Sequence, residues 1–306
     1  MGARSWLSNL AKELSAEMSW RLLSRRIKGH GDSWIFLCNA HIGDTFALCS
    51  LLPKFVEQHG SAKVTLVVRA EQEKLVRLFP HISGLVVRRN LPSTRINIKM
   101  SALKFQKGSM LPGHIYFAPA AEISDYSYLD VFRLPLRLTR ENKPSPLPNF
   151  QVKDETHLPT EFSSKKGNTV LLSPYAKSVP LFSTDFWALL VKELQSMGYE
   201  VATNVSKDEQ PLENTLPLRF DLDQDGLSLA KGLRFFIGIR SGLCDVLHGI
   251  ACNMVVLYGD EEERRYFSLF HTGYNHDSLI EMVVDSSGKR NYPLVVSKIM
   301  DTLNRN

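Results

Sequence analysis

The sequence lacks the features that mark several large classes of protein. It has only four cysteines in 306 residues, with no CxxC pair and no histidine nearby at metal-ligand spacing, so neither a zinc site nor a disulfide framework is expected. No run of about 18 apolar residues occurs, which predicts that no segment crosses a membrane. A Walker lysine motif and a GxGxxG motif are also missing, which argues against a P-loop NTPase and an ordinary dinucleotide-binding dehydrogenase.

Positive charge is in slight excess and is concentrated at one end of the chain. The formal charge is +5, and residues 1–30 contain six Lys or Arg against two Glu, so the rest of the chain is close to neutral. Nucleic-acid-binding proteins spread positive charge over a binding face, and no such partner is expected here. Reduced cysteines in apolar stretches and the lack of a secretory signal predict a cytoplasmic protein.

Residues 1–30 are predicted to form an amphipathic N-terminal helix. Apolar residues recur at helical spacing, two tryptophans lie nearby, and the segment ends in cations. The apolar stripe consists of Leu7, Ala11, Leu14, Met18 and Leu22. Two interpretations remain open, a helix that lies on an anionic membrane surface and a helix that packs on the protein's own body.

The rest of the chain alternates short apolar runs with helical patterns, which predicts an α/β protein with parallel sheets. Two such halves, residues 31–150 and 167–290, are joined by a proline-rich linker at residues 151–166 and followed by a closing helix at residues 291–306. The predicted strands are 34–38, 63–68, 84–87 and 114–118 in the first half, and 168–172, 199–203, 218–222, 235–239 and 254–258 in the second.

Ligands of open parallel sheets bind at the carboxyl ends of the strands, and the first strand is followed by the turn Asn39–Thr45. Gly43 permits a tight turn, and Asp44 falls at the start of the next helix. Asp44 either faces a ligand or only caps the helix. His41 is a candidate base near neutral pH, and its alternative role is a structural hydrogen bond.

A second turn, Arg240–Asp245, follows the strand at 235–239. Small residues at a helix N-terminus, here Ser241, Gly242 and Leu243, suit a phosphate or diphosphate, and Arg240 adds a planar donor fork. A buried ion pair between Arg240 and Asp245 is the structural alternative.

Two other polar segments contain residue types that occur in ligand sites. Ser173, Lys177 and Ser178 follow the first strand of the second half and are candidates for a further phosphate contact. The acidic run at residues 260–263 is interpreted as a solvated helix start, and no metal site is predicted.

Several segments resemble the ADP-heptose:lipopolysaccharide heptosyltransferases. IFLCNAHIGDTFALCSLLP at residues 35–53 is similar to their first strand, Gly-Asp turn and helix. The span Thr169–Gly259 is similar to their second domain. It contains Phe186-Trp187, the strand FIGI at residues 236–239 and VVLYG at residues 255–259.

The resemblance implies a GT-B glycosyltransferase with two Rossmann-like domains whose parallel sheets face each other across a cleft. It implies that Asp44 is the general base of an inverting transfer, that His41 and Gly43 beside it contact the acceptor, and that Ser173, Lys177, Ser178 and residues 240–243 bind the nucleotide-sugar donor. No metal or cofactor is expected, because helix-end amides and basic side chains stabilise the leaving diphosphate.

The second turn departs from the family pattern D-[ST]-G-x-x-H, since Arg240 replaces the acid and Asp245 the histidine. Pro180 also occupies the place of the family's phosphate-contacting lysine, with Lys177 the nearest substitute. The nucleotide and sugar of the donor therefore stay open. The sequence predicts a transferase that acts on a bacterial surface polysaccharide or lipopolysaccharide, peripheral on the inner membrane through residues 5–28. The alternatives are a non-catalytic scaffold of a glycan-assembly complex and a sugar-nucleotide epimerase.

Overall fold

The chain divides into two compact units in a computed structural model. The first contains Met1–Ile123 and Val131–Asn142, and the second contains Ser124–Asp130 and Lys143–Asn306. The structure describes residues 17–18, 21–30, 32–38, 41–60, 62–88, 127–147, 150–153, 159, 162, 166–177, 179, 181–274, 278–284 and 291–305. The predicted strand at residues 114–118 lies outside these ranges, as does Ser178.

The first unit is built on a three-stranded parallel sheet with the order β1-β2-β3. Its first two strands are apolar runs that are almost entirely buried, as expected when helices cover a parallel sheet, whereas the third alternates buried and half-buried residues. They are β1 (Trp34–Leu37), β2 (Val64–Arg69) and β3 (Gly84–Arg88). The helices are α1 (residues 21–28), α2 (Ile42–Gln58), α3 (Glu73–Val76) and α4 (Asp130–Leu136), of which α4 begins at the boundary between the units.

The second unit contains a six-stranded parallel sheet with the order β6-β5-β4-β7-β8-β9. Its strands are β4 (Thr169–Ser173), β5 (Glu200–Asn204), β6 (Leu216–Leu218), β7 (Phe235–Ile239), β8 (Met254–Tyr258) and β9 (Leu279–Val283). Its helices are α5 (Thr184–Ser196), α6 (Gln224–Gly232), α7 (Gly242–Gly249), α8 (Glu261–Phe267) and α9 (Tyr292–Arg305). The strand order reverses between β4 and β7, which makes their carboxyl ends a topological switch point.

Helices α5 and α9 cover one region of this sheet and form a continuous apolar core with it. Ser183 caps α5 by accepting a hydrogen bond from the backbone of Phe186, and this starts the helix so that Phe186 and Trp187 point into the core. The Phe186 and Tyr292 rings meet edge to face with centroids 5.3 Å apart, which joins the two helices.

Helix α1 presents two apolar faces. Leu23 and Ile27 are buried, whereas Leu22, 59% exposed, faces outward together with Arg21 and other cations of this segment. Met18, which precedes α1, is 69% exposed. Both interpretations of the N-terminal segment therefore have a physical basis, because one face of α1 packs on the protein while Met18 and Leu22 are exposed. The other residues of the predicted stripe, Leu7, Ala11 and Leu14, lie outside the described residues. Within the described ranges, no helix has the length and apolar composition needed to span a bilayer.

The four cysteines are free and buried, as expected for small core residues. Burial raises the pKa of the Cys244 thiol to about 11 and that of Cys252 to about 12. These two thiols are therefore protonated at neutral pH, and neither is an activated nucleophile.

Candidate functional site

The turn between β1 and α2 positions the residues predicted to surround the acceptor. Asp44 is the third residue of α2, and its Oδ2 accepts a hydrogen bond from the backbone N–H of His41 at 2.7 Å. Thr45 Oγ1 donates to the His41 carbonyl at 3.1 Å. The carboxylate of Asp44, a residue only 5% exposed, thus has a defined orientation, and the helix-capping role anticipated for Asp44 is present in the structure.

Three further polar residues lie at the same edge of the sheet and were missed by the sequence analysis. Arg69 and Arg88 end β2 and β3 and are paired directly across the two strands. Gln72 accepts from the backbone N–H of Arg69 at 2.9 Å and donates to the His41 carbonyl at 3.4 Å. The rule that ligands bind at strand carboxyl ends would have found the two arginines, because each is the last residue of its strand.

Arg69 and Arg88 give this edge positive charge. Burial lowers the pKa of the Arg88 guanidinium, and the neighbouring charge of Arg69 lowers it further, while Glu71 opposes the shift. Burial raises the pKa of the Glu71 carboxylate, but hydrogen bonds with its own backbone and with Arg69 outweigh this effect and lower the pKa overall. Glu71, which pairs with Arg69, and Asp44 offset the two arginine charges, so this edge is polar without a net excess of either sign.

In the second unit, Ser173 lies at the switch point, at the end of β4 and directly opposite Gly238 of β7. Asn204, at the end of β5, donates through Nδ2 to Ser173 Oγ at 3.3 Å. A β-carbon at Gly238 would lie 2.6 Å from Phe236 Cζ and 3.0 Å from Ser173 Cβ, so glycine is required where these strands approach. Lys177 is exposed beyond Ser173, and Ser178 lies outside the described residues.

The turn between β7 and α7 lies at the same edge. Ser241 is the N-cap residue of α7, followed by the half-buried residues Gly242 and Leu243. The first N–H groups of a helix have no acceptors within the helix and carry the positive end of its dipole. Ser173 and the start of α7 therefore both lie at the switch point, where an anionic ligand would be favoured.

Arg240 forms a buried bidentate ion pair with Asp245, the structural alternative that the sequence left open. Nη1 donates to Asp245 Oδ2 and Nη2 donates to Asp245 Oδ1, both at 2.8 Å, and each residue is 6% exposed. Nε donates to the Phe267 carbonyl at 2.8 Å, and Nη1 also donates to the Ser241 carbonyl at 2.7 Å. Burial by itself would lower the pKa of Arg240, but the charge of Asp245 raises it above its ordinary value.

A polar network continues from Arg240 to β9. The single hydrogen of the Tyr258 hydroxyl is shared between Glu281 Oε1 at 2.7 Å and the Phe267 carbonyl at 3.2 Å. Glu281 also accepts from Ser268 Oγ and from the Leu269 backbone N–H. Burial raises the pKa of the Tyr258 hydroxyl, so it stays protonated and acts as a donor in this network.

The acidic run at residues 260–263 begins helix α8, as predicted from the sequence. Asp260 Oδ1 accepts from the backbone of Glu263, and Glu263 Oε2 accepts from the backbone of Gly259, both at 2.7 Å. These reciprocal bonds form a capping arrangement. Across the part of the chain that the structure describes, no group of three or more His, Cys, Asp or Glu side chains is arranged to hold a metal ion.

Comparison with known proteins shows similarity at the level of structure. No protein-family profile matches the sequence, and no curated protein matches it. ADP-heptose lipopolysaccharide heptosyltransferase II of E. coli superimposes with a TM-score of 0.62 at 15% identity, covering 89% of this chain and 99% of that chain.

Two further glycosyltransferases have similar structures. A family 9 glycosyltransferase from Veillonella parvula has a TM-score of 0.58 at 13% identity and covers 89% of this chain and 97% of its own. The dodecameric iron-containing glycosyltransferase TibC of enterotoxigenic E. coli has a TM-score of 0.60 at 13% identity and covers 90% of this chain and 76% of its own. The chain therefore has the GT-B glycosyltransferase fold of the ADP-heptose:lipopolysaccharide heptosyltransferases.

Proposed function

We propose that this protein is a glycosyltransferase that transfers a sugar from a nucleotide-sugar donor to a bacterial surface polysaccharide or lipopolysaccharide. The observation that carries the proposal is the similarity of nearly the whole chain to heptosyltransferase II, which extends over 99% of that enzyme. The polar residues at the carboxyl ends of both parallel sheets support it, because such edges are the usual ligand sites of this architecture.

The nucleotide-sugar donor is proposed to bind to the second unit, at the switch point between β4 and β7. The start of α7, with Ser241, Gly242 and Leu243, would hold the diphosphate through backbone N–H groups. Ser173, at the end of β4, and Lys177 and Ser178, which follow it in the sequence, would add contacts. Asn204 is included in this proposal, since it is hydrogen-bonded to Ser173.

Asp44 is proposed as the general base, with His41 and Gly43 beside the acceptor. Asp44 would take the proton of the acceptor hydroxyl as its oxygen attacks the anomeric carbon of the donor sugar. The new glycosidic C–O bond would form on the face opposite the leaving group while the bond from the anomeric carbon to the phosphate oxygen breaks. The configuration at that carbon would therefore be inverted.

The leaving nucleoside diphosphate is proposed to be stabilised by the amides of α7 and not by a bound metal. Unchanged transfer in the presence of EDTA, with metal content measured on the same sample, would support this part of the proposal. A loss of transfer that is restored by one added metal would contradict it.

The protein is proposed to act in the cytoplasm at the inner face of the inner membrane. The exposed apolar pair Met18 and Leu22, accompanied by cations in the same segment, is typical of a helix that rests on an anionic lipid surface. Acceptors that are assembled on lipid carriers would then be within reach.

The first experiment is a calorimetric panel of ADP, UDP, GDP, CMP and their sugar conjugates, followed by a transfer assay with the conjugate that binds. We expect selective micromolar binding of one nucleotide and product only when a glycan acceptor is present. Conversion of the sugar nucleotide without an acceptor would indicate an epimerase. Absence of binding to every nucleotide in the panel would favour a non-catalytic scaffold.

A further inference from the structure

The guanidinium of Arg240 is almost fully engaged by the protein itself. It has five N–H groups, and four hydrogen bonds join them to Asp245, Ser241 and Phe267. The Tyr128 and Phe267 rings lie on it, each with its centroid 5.9 Å from the guanidinium carbon. A phosphate would therefore have to displace contacts that already satisfy this side chain.

These contacts join the start of one helix to the end of another in the second unit. Ser241 and Asp245 belong to the start of α7, whereas Phe267 is the last residue of α8. The Tyr258 hydroxyl, whose hydrogen is shared with Glu281, lies 3.2 Å from the same Phe267 carbonyl, so two side chains contact that peptide group. The Tyr128 backbone N–H donates to the Tyr266 carbonyl at 3.3 Å, which attaches residues 127–130 to the same place.

We infer that Arg240 and Asp245 act together as positioning residues that hold the N-terminus of α7 in the geometry needed to bind a nucleoside diphosphate, while Arg240 itself does not contact the phosphates. This inference rests on the proposed nucleotide-sugar site. The two opposite charges compensate each other, so the amides at the start of α7 supply the local positive potential.

The test exploits the opposite predictions that the two roles make for Asp245. If Arg240 contacted the phosphates, Asp245→Asn would release an uncompensated positive charge and leave binding of ADP, UDP or GDP unchanged or tighter. In a positioning role, Asp245→Asn loosens the turn and weakens binding. We expect Arg240→Gln and Asp245→Asn each to raise the Kd of the nucleoside diphosphate that the wild type binds by about tenfold.

The double variant Arg240→Gln/Asp245→Asn completes a double-mutant cycle. Because the two residues act as one unit, its Kd should lie within about threefold of the weaker single variant, and not near the product of the two effects. Multiplicative effects would overturn the inference. Arg240→Lys should fail to restore binding, since an ammonium cannot form the two parallel bonds to the carboxylate, and wild-type affinity of this variant would also overturn it.

Asp225→Asn is the matched control, because it removes an acid that pairs with Lys153 at the exposed start of α6 in the same unit. Its Kd should equal that of the wild type. Partial unfolding of a variant lowers the calorimetric stoichiometry but leaves the Kd of the folded fraction unchanged. If Arg240 and Asp245 only stabilised the fold, their substitution would therefore change the stoichiometry and not the Kd. If the wild type binds none of ADP, UDP and GDP, the proposed nucleotide site itself is refuted. If the wild type binds one of them and Asp245→Asn binds it equally well, only the positioning role is refuted.

Discussion

At the scale of the single residue, Asp44 combines a structural contact with the proposed chemistry, and the two can be separated. Its carboxylate accepts a hydrogen bond from the His41 backbone at 2.7 Å, and the amide oxygen of asparagine can accept the same bond. We therefore expect Asp44→Asn to keep the wild-type melting temperature and donor affinity while losing at least about 100-fold in transfer rate, because an amide cannot take the acceptor proton.

The measurement is nucleotide release with acceptor present, alongside calorimetry with the nucleotide-sugar. Asp301→Asn is the control, since Asp301 is an exposed acid in α9, far along the chain from both strand-end turns. Transfer by Asp44→Asn at the wild-type rate would remove Asp44 from the mechanism.

His81 forms a hydrogen bond with a backbone group of α2 at the point where Pro53 interrupts the helical hydrogen bonds. Pro53 lies inside α2 and has no N–H to donate to the carbonyl of Cys49, four residues earlier. His81 forms a hydrogen bond with the Cys49 backbone that favours the charged imidazole, as a bond to a carbonyl does, but burial dominates and lowers the pKa of His81 below its ordinary value of 6.5. The ring is thus held neutral in the folded protein.

This shift predicts how stability depends on pH. Below about pH 6.5 the unfolded chain binds a proton at His81 that the folded protein does not, so the free energy of unfolding falls as pH decreases. His81→Gln retains a donor for Cys49 but does not titrate. Between pH 7.5 and 5.5, urea unfolding should show a smaller loss of stability in this variant than in the wild type. Equal losses would show that His81 does not contribute.

At the scale of the element, the end of α7 contains a residue that does not suit its conformation. Ala251 has φ 56°, in the left-handed region. Its N–H donates to the His248 carbonyl and the N–H of Cys252 donates to the Leu247 carbonyl, which is a Schellman arrangement in which glycine is preferred. The methyl group of alanine therefore strains this turn.

We expect Ala251→Gly to raise the free energy of unfolding by about 1 kcal/mol, measured by denaturant titration. Ala230→Gly, inside α6, is the comparison, and it should lower stability by at least about 1 kcal/mol, because glycine there adds backbone entropy to the unfolded chain and removes a buried methyl group. If both substitutions destabilise the protein alike, strain at Ala251 is not the reason.

At the scale of the whole molecule, α1 is expected to determine whether the protein associates with membranes. Leu22→Glu places a charge on the outward apolar face and leaves Leu23 and Ile27 buried on the other. Sedimentation with vesicles that contain anionic lipid should show bound wild type and a strongly reduced bound fraction of the variant, and high salt should weaken the binding of both.

Leu294→Glu is the matched control, because Leu294 is an apolar residue of α9 that is 58% exposed, close to the 59% of Leu22. It should bind vesicles like the wild type. Equal binding by Leu22→Glu would show that the exposed face of α1 is not the contact.

Strands predicted from the sequence agree best with the structure where the local apolar pattern is strongest. Runs such as FFIGI and MVVLY have one plausible state in a buried parallel sheet, and β7 and β8 have the predicted bounds. The strands at the two edges of the six-stranded sheet were predicted less accurately. β9 was not predicted, since Glu281 interrupts its apolar pattern, and β6 was placed at residues 218–222 instead of Leu216–Leu218, because Pro217 argues against a strand except at an edge.

In the candidate site, too, some features follow from the sequence alone and others only from the tertiary structure. The sequence by itself determined the parallel α/β architecture, the two strand-end turns and the positions of Asp44 and Arg240, because periodicity and turn residues are local properties of the chain. Only the tertiary structure decided that Arg240 pairs with Asp245, that Asn204 contacts Ser173, that Arg69 lies beside Arg88 and that Met18 and Leu22 are exposed. These outcomes depend on strand order and on competition for burial and hydrogen-bond partners, which no single segment of sequence contains.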